Sequence, residues 1–181
     1  MRKLITSGLL LCGALALQAQ TFVKPTMKVK ETSFAVITDK GTYQACEAEF
    51  KAYQEQVYKN SQAFCKALVE EGFNVISGGT DNHLILLDLR PFGITGKDFE
   101  IHLDEVHITA NKNSIPNDPE KPTVTSGLRV GTPAVTSRGF VEADMVKIAK
   151  LMGMVARDFE GTKEQVIAEV DALCNAHPIY E

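Results

Sequence analysis

Arg129 is the residue in this chain whose type and setting best suit chemistry. It lies two residues after Gly127 and two before Gly131 in TSGLRVG, within 111–139, a stretch punctuated by Pro116, Pro119, Pro122 and Pro133. A guanidinium keeps its charge at every working pH and presents a rigid fork of donors that matches the two oxygens of a carboxylate. On composition alone two readings stand side by side, a carboxylate-binding residue and an ordinary surface arginine. His83, His102, His107 and His177 are scattered, and the spacing of His102 and His107 does not place them on one helix face. None of them is expected to be catalytic. Asp81 and Asp88 suit turn and strand-end hydrogen bonding rather than acid-base work. The chain contains no P-loop, G-x-G-x-x-G, H-E-x-x-H, G-x-S-x-G or C-x-x-C pattern. If a leader carrying Cys12 is cut away, three cysteines remain, Cys46, Cys65 and Cys174; their odd number and lack of metal-like spacing predict buried or half-buried thiols, not a zinc site or a disulfide scaffold.

These residues must be positioned by a chain of 181 residues, 44% apolar and 23% charged, with a formal net charge of -4. That composition is ordinary for a soluble globular domain, and its charge excludes a general affinity for nucleic acid or anionic membrane. The first twenty residues, MRKLITSGLLLCGALALQAQ, combine Arg2 and Lys3 with an apolar run from Leu4 to Leu17 and a small-residue exit. This is the pattern of a secretory signal peptide, too short in its apolar part to span a bilayer comfortably, and it predicts export to the periplasm or outside the cell. Residues 21–48 are read as a linker and an accompanying segment, and 49–181 as the domain.

Along that chain, Ser33 to Thr38 is a β-prone run closed by Asp39-Lys40-Gly41. A helix is predicted over about 42–71, with Phe50, Tyr53, Val57, Phe64 and Leu68 at helical spacing and Gly72 as its C-cap. Phe73 to Ser77 is a predicted strand. SGGTDN then reverses the chain, and His83 to Leu89 is the antiparallel return. Thr95-Gly-Lys-Asp98 has capping-box spacing and opens a helix through Phe99, Leu103 and Val106. His107 to Ala110 is a third predicted strand, 111–139 a long loop containing a short strand at Leu128 to Val130, and Val141 to Arg157 a helix. A last helix is expected from Thr162-Lys-Glu-Gln165 to about Asn175. The fold class that follows is α+β, a small, mainly antiparallel sheet covered by helices.

Four blocks carry a resemblance: ISGGTDNHLILLDLR, ITANKNSIPNDPEKP, TSGLRVGTPAVTSRGF and ALCNAHPIY. In order and spacing they resemble the C-terminal domain of serine hydroxymethyltransferase, a fold-type I pyridoxal-phosphate enzyme also called glycine hydroxymethyltransferase, over about residues 49–181. The resemblance implies serine and glycine as substrates, tetrahydrofolate as one-carbon carrier and pyridoxal phosphate as cofactor. It implies that Arg129 grips the amino-acid carboxylate and that Asn113, the second asparagine of NKN, hydrogen-bonds the folate. Lys121 departs from the family's pattern. The family's Schiff-base lysine, its ring-stacking histidine and its phosphate-binding motifs belong to a large N-terminal domain with no counterpart in these blocks, so no catalytic or cofactor-binding residue is assigned. The implied state is a truncated transferase, inactive alone, completed by a large-domain partner or a homodimer. The alternatives are an exported noncatalytic carboxylate-binding module and an unproductive fusion fragment joined near residues 45–49.

Overall fold

The computed structural model describes residues 34–38, 41–45 and 48–179, with side chains from Phe50 onward. The expected signal peptide, the linker and Cys46 lie outside the described residues. Two units make up the chain, dividing between Ala52 and Tyr53.

In the first unit, β1 (Phe34–Thr38) and β2 (Gly41–Ala45) form an antiparallel hairpin in which Thr38 faces Gly41 and Phe34 faces Ala45. The helix predicted from residue 42 therefore begins later, as α1 (Ala48–Glu70). Thr42 and Tyr43, a β-branched and an aromatic residue beside a turn, favour the extended ladder over a first helical turn.

From Tyr53 the chain builds one core. On α1 the positions 57, 60, 61, 64, 65 and 68 are all buried, one stripe at helical spacing. Gly72, with φ at +94°, ends the helix: its N–H donates to Val69 O and that of Phe73 to Leu68 O, the paired bonds of a Schellman motif. The strand expected over 73–77 is shorter, β3 (Asn74–Val75), because a single 3₁₀ turn at Ile76–Gly78 takes the chain out of the ladder. After the loop comes β4 (Leu84–Asp88), and Pro91 then opens a 3₁₀ turn, Arg90–Phe92.

Helix α2 (Gly96–Glu105) starts at Thr95, whose hydroxyl accepts from Asp98 N at 3.1 Å and donates to the Asp98 carboxylate at 2.7 Å. The third strand is displaced from its predicted place. His107, with φ at +65°, turns the chain, and β5 (Asn111–Asn113) follows. The long loop is more ordered than predicted, since it holds β5, β6 (Gly127–Gly131) and the short helix α3 (Pro133–Ser137). Helix α4 (Glu142–Arg157) has the expected bounds. Helix α5 (Phe159–Ala176) starts earlier than Thr162, because Asp158 caps it by accepting from Gly161 N at 3.0 Å.

The sheet order is β3-β4-β6-β5, antiparallel throughout. Ile85 pairs with Val130 and Leu87 with Leu128, and all four are buried. They join Phe64 and Leu68 of α1, Phe99 and Leu103 of α2, Met145 and Met152 of α4 and Val166 of α5 in one cluster. Each such side chain contributes about 1.5–3 kcal/mol on leaving water. The architecture is the α+β layer that the sequence predicts. Because side chains alternate along a strand, burying Ile85 and Leu87 turns Leu84, Leu86 and Arg129 to the other face.

Candidate functional site

That other face borders an open groove of about 710 Å³, lined by the 77–82 loop, by Leu84 and Leu86 of β4, and by Asn113 and Arg129. In the register, Arg129 lies between Leu86 on one side and Asn111 on the other, and Asn113 faces Gly127 two residues along.

The loop is held from within and from behind. Thr80 Oγ1 donates to Leu84 O at 2.6 Å, and Asn82 Oδ1 accepts from Leu84 N at 2.7 Å. From α1, the buried Ser61 hydroxyl donates to Asn82 O at 2.6 Å and Gln62 Nε2 to Thr80 O at 2.8 Å. Ser77 occupies the left-handed region at φ +63°, beside Gly78 at +74°. Thr80 and Asn82 thus bond the loop's own backbone, whereas the Asp81 side chain, expected to do so, makes no hydrogen bond among the described residues.

The four described arginines differ in one respect. Arg90 forks onto Asp88, with Nε to Oδ1 at 2.9 Å and Nη2 to Oδ2 at 2.7 Å, and this holds the Asp88 carboxyl below its ordinary value. Arg138 donates to the last carbonyls of α5, at His177 O and Cys174 O, and lies over the Phe140 ring. Arg157 donates to the Glu71 carboxylate at 2.7 Å. Arg129 is exposed and lines the groove, and its side chain has no hydrogen bond or ion pair among the described residues. An exposed fork that lines the groove, with no carboxylate of its own, can take one from a ligand.

Asn113 is half-buried, and its side-chain amide donates to Ser114 O at 2.7 Å, which leaves its carbonyl oxygen and second amide proton for other partners. Sequence reasoning missed Asp118, although Asn-Asp-Pro is a turn signal. Its carboxylate accepts from the N–H of Ile115, Glu120 and Ser126 and from the Ser126 hydroxyl. Desolvation pushes its pKa upward, but these bonds outweigh it and bring the group to about 2.

The four histidines lie apart, outside the groove's lining. His102 stacks on Phe159 with centroids 4.0 Å apart, His107 Nδ1 lies 2.9 Å from Asp171, and His177 lies over Phe140 and 3.4 Å from Asp144. His83 is exposed. Cys65 is buried, which raises its thiol pKa, and Cys174 is half-buried; both are free. Among the described residues no group of side chains could hold a metal ion, and no helix is long and apolar enough to cross a membrane.

The family model that matches this sequence is serine hydroxymethyltransferase, over residues 23–152. The chain belongs to the serine hydroxymethyltransferase family. It is similar to the serine hydroxymethyltransferase of Halorhodospira halophila (strain DSM 244 / SL1), 49% identical over 139 residues, which is 76% of this chain and 33% of that relative. The chain thus spans about a third of the relative's length. The antiparallel sheet under its helices is consistent with the family's C-terminal domain. The matched stretch starts upstream of residue 49, where the resemblance read from the sequence begins.

Serine hydroxymethyltransferases imply pyridoxal phosphate, a cofactor that condenses with a lysine and needs donors for its phosphate. Among the residues that line the groove, Arg129 is the one cation and none is a lysine. The groove's residues fit a carboxylate and a hydrogen-bonding ligand, and they do not fit the covalently held cofactor.

Proposed function

We propose that this chain forms the amino-acid-carboxylate and folate side of a serine hydroxymethyltransferase site, and that it turns over no serine by itself. Arg129 takes the carboxylate of serine or glycine, and Asn113 hydrogen-bonds tetrahydrofolate beside it. The observation that carries this reading is the unpaired guanidinium of Arg129 in the groove, when the other described arginines are all engaged by the protein. The charge-assisted fork orients the amino acid and neutralises its carboxylate, while the Gly78–Asn82 loop bounds the space beside it. Pyridoxal-phosphate chemistry then requires a cofactor site contributed from outside this groove, by a large-domain partner or a second copy. The leader-like first twenty residues support export as the chain's destination.

The test is a titration of the full chain with glycine, followed by ¹⁵N NMR. Shifts confined to β6 and the 77–82 loop, and absent in Arg129→Ala, are expected. Glycine-induced shifts that persist unchanged in that variant would overturn the reading. A serine-cleaving reaction by the chain alone with pyridoxal phosphate and tetrahydrofolate would overturn the second half of it.

A further inference from the structure

We infer that Asp118 is a positioning residue for the folate contact, setting Asn113 against β6 without setting Arg129. The inference rests on the roles just proposed for those two residues. Strand β5 has three residues and pairs only with β6, whereas β6 is flanked by both β4 and β5. Arg129 is therefore fixed by ladders on two sides. Asn113 ends the edge strand, and the connection from 114 to 126 must bring the chain back to Gly127, its direct partner.

The Asp118 carboxylate closes that connection on itself. Its Oδ2 accepts from Ile115 N at 3.1 Å and Ser126 N at 2.9 Å, so one oxygen ties the residue two beyond Asn113 to the residue just before Gly127. Its Oδ1 accepts from Ser126 Oγ at 2.7 Å and Glu120 N at 3.0 Å. Between these bonds the backbone holds two non-glycine residues in the left-handed region, Asn117 at φ +55° and Thr125 at +59°. A β-branched residue there persists only when its surroundings fix it. Thr125 O and Val124 O also accept from Gly96 N and Lys97 N, so the same connection satisfies the first donors of α2. Just before Asn113, β5 is held to α2 by Lys112, whose N–H and ammonium both donate to Glu100. Asn113 lies between the two anchors, and its own side-chain bond, to Ser114 O, is local. Its place therefore follows the backbone that Asp118 ties.

The experiment compares the full chain with Asp118→Asn and Ser126→Ala, using 5-formyltetrahydrofolate and glycine as probes in ¹⁵N NMR titrations. Asp118→Asn should weaken the folate probe by about tenfold or more while leaving glycine within about twofold. Ser126→Ala, which spares the three backbone bonds, should give a smaller loss in the same direction. Amide exchange should quicken at Asn113 and Ile115 and stay unchanged at Arg129. Equal binding of the folate probe by all three chains would overturn the inference and leave the site reading standing. An equal loss of both probes in Ser126→Ala would make Asp118 a support of the whole fold and overturn it too. If the unmutated chain responds to neither probe, the site reading itself fails and the inference falls with it. Should Asp118→Asn not fold, the Ser126→Ala titration and its amide exchange decide.

Discussion

The hydroxyl of Ser61, fully buried on α1, donates to the carbonyl of Asn82 over 2.6 Å, and this bond fixes the far end of the loop that borders Arg129. A helix stripe that otherwise carries Val57, Phe64 and Leu68 thus gives a core position to a polar residue, which burial tolerates only when the polar atom is satisfied. Ser61→Ala should lower stability by about 1–2 kcal/mol, because it leaves a loop carbonyl without its donor. Gln62→Ala, at an exposed bond, should cost less than about 0.5 kcal/mol. Urea unfolding of both variants checks the contrast, and equal midpoints for Ser61→Ala and the unmutated chain would count against the loop anchor.

Gly127 is required by space. A Cβ there would meet Ile115 Cγ2 at 2.5 Å, Asn113 O at 2.6 Å and Leu87 O at 2.8 Å, and two of those atoms are backbone of the flanking strands. Gly127→Ala should therefore cost about 2–3 kcal/mol and loosen β5. Gly79 makes the control, since its φ of 168° is ordinary extended backbone and a Cβ there meets nothing within 4 Å. Gly79→Ala should leave the thermal midpoint within a degree or two, and a Gly127→Ala midpoint just as high would refute the packing argument.

Acid should act through Asp118. Its folded pKa of about 2 lies below the ordinary value of 3.8, so the unfolded chain takes up the proton first as pH falls. The stability it contributes is complete above about pH 4 and is lost as pH drops towards 2. Thermal midpoints measured at pH 6, 4 and 2.5 should fall less steeply in Asp118→Asn than in the unmutated chain. Some acid dependence will remain, since Asp88 is also held below its ordinary range by Arg90. Parallel profiles for the two chains would show that the Asp118 carboxylate does not contribute in this way.

The sequence made the core legible where periodicity is strong. Helix α1 through Phe64 and Leu68, the Gly72 stop, the Thr95 cap and the β4 return are all local signals, and the fold keeps them. It was less informative where a tertiary contact decides. Asn111-Lys-Asn113 is too polar to announce a strand and becomes one by pairing with β6 and by the Lys112 to Glu100 contact. Helix α5 begins one residue after its Asp158 cap, in a junction with α4 too short to read as two ends. Arg129 was legible as a candidate from its type, its glycine-flanked setting and the family resemblance. Its lack of a protein partner was not, because that depends on where Asp88, Glu71 and the end of α5 fall in space.

Without a lysine in the groove, the chain mixed with pyridoxal phosphate should give no defined one-to-one aldimine absorbance, and borohydride reduction should label surface lysines without preference. A single labelled lysine with a stoichiometric absorbance band would show that the cofactor finds a site on this chain after all.

Arg129 gives the most direct test of function. A carboxylate on a guanidinium is oriented by two parallel bonds and neutralised, whereas an ammonium supplies charge without the fork, so Arg129→Lys should fail to restore what Arg129→Ala removes. Loss of a charge-assisted pair in a partly desolvated site costs about 2–5 kcal/mol, roughly thirtyfold to several thousandfold in affinity. Because the chain covers about a third of its relative, residues 49–181 can replace the matching segment of the Halorhodospira halophila protein, with the relative supplying the rest. Glycine and serine affinities are then compared for the unmutated graft, Arg129→Lys and Arg129→Ala, with the cofactor's absorbance band confirming that it is seated in each. Both variants should bind both amino acids far more weakly, with lysine nearer to alanine than to arginine. If all three grafts bind alike with the cofactor in place, Arg129 is a surface arginine that happens to face a groove, and the carboxylate role belongs elsewhere.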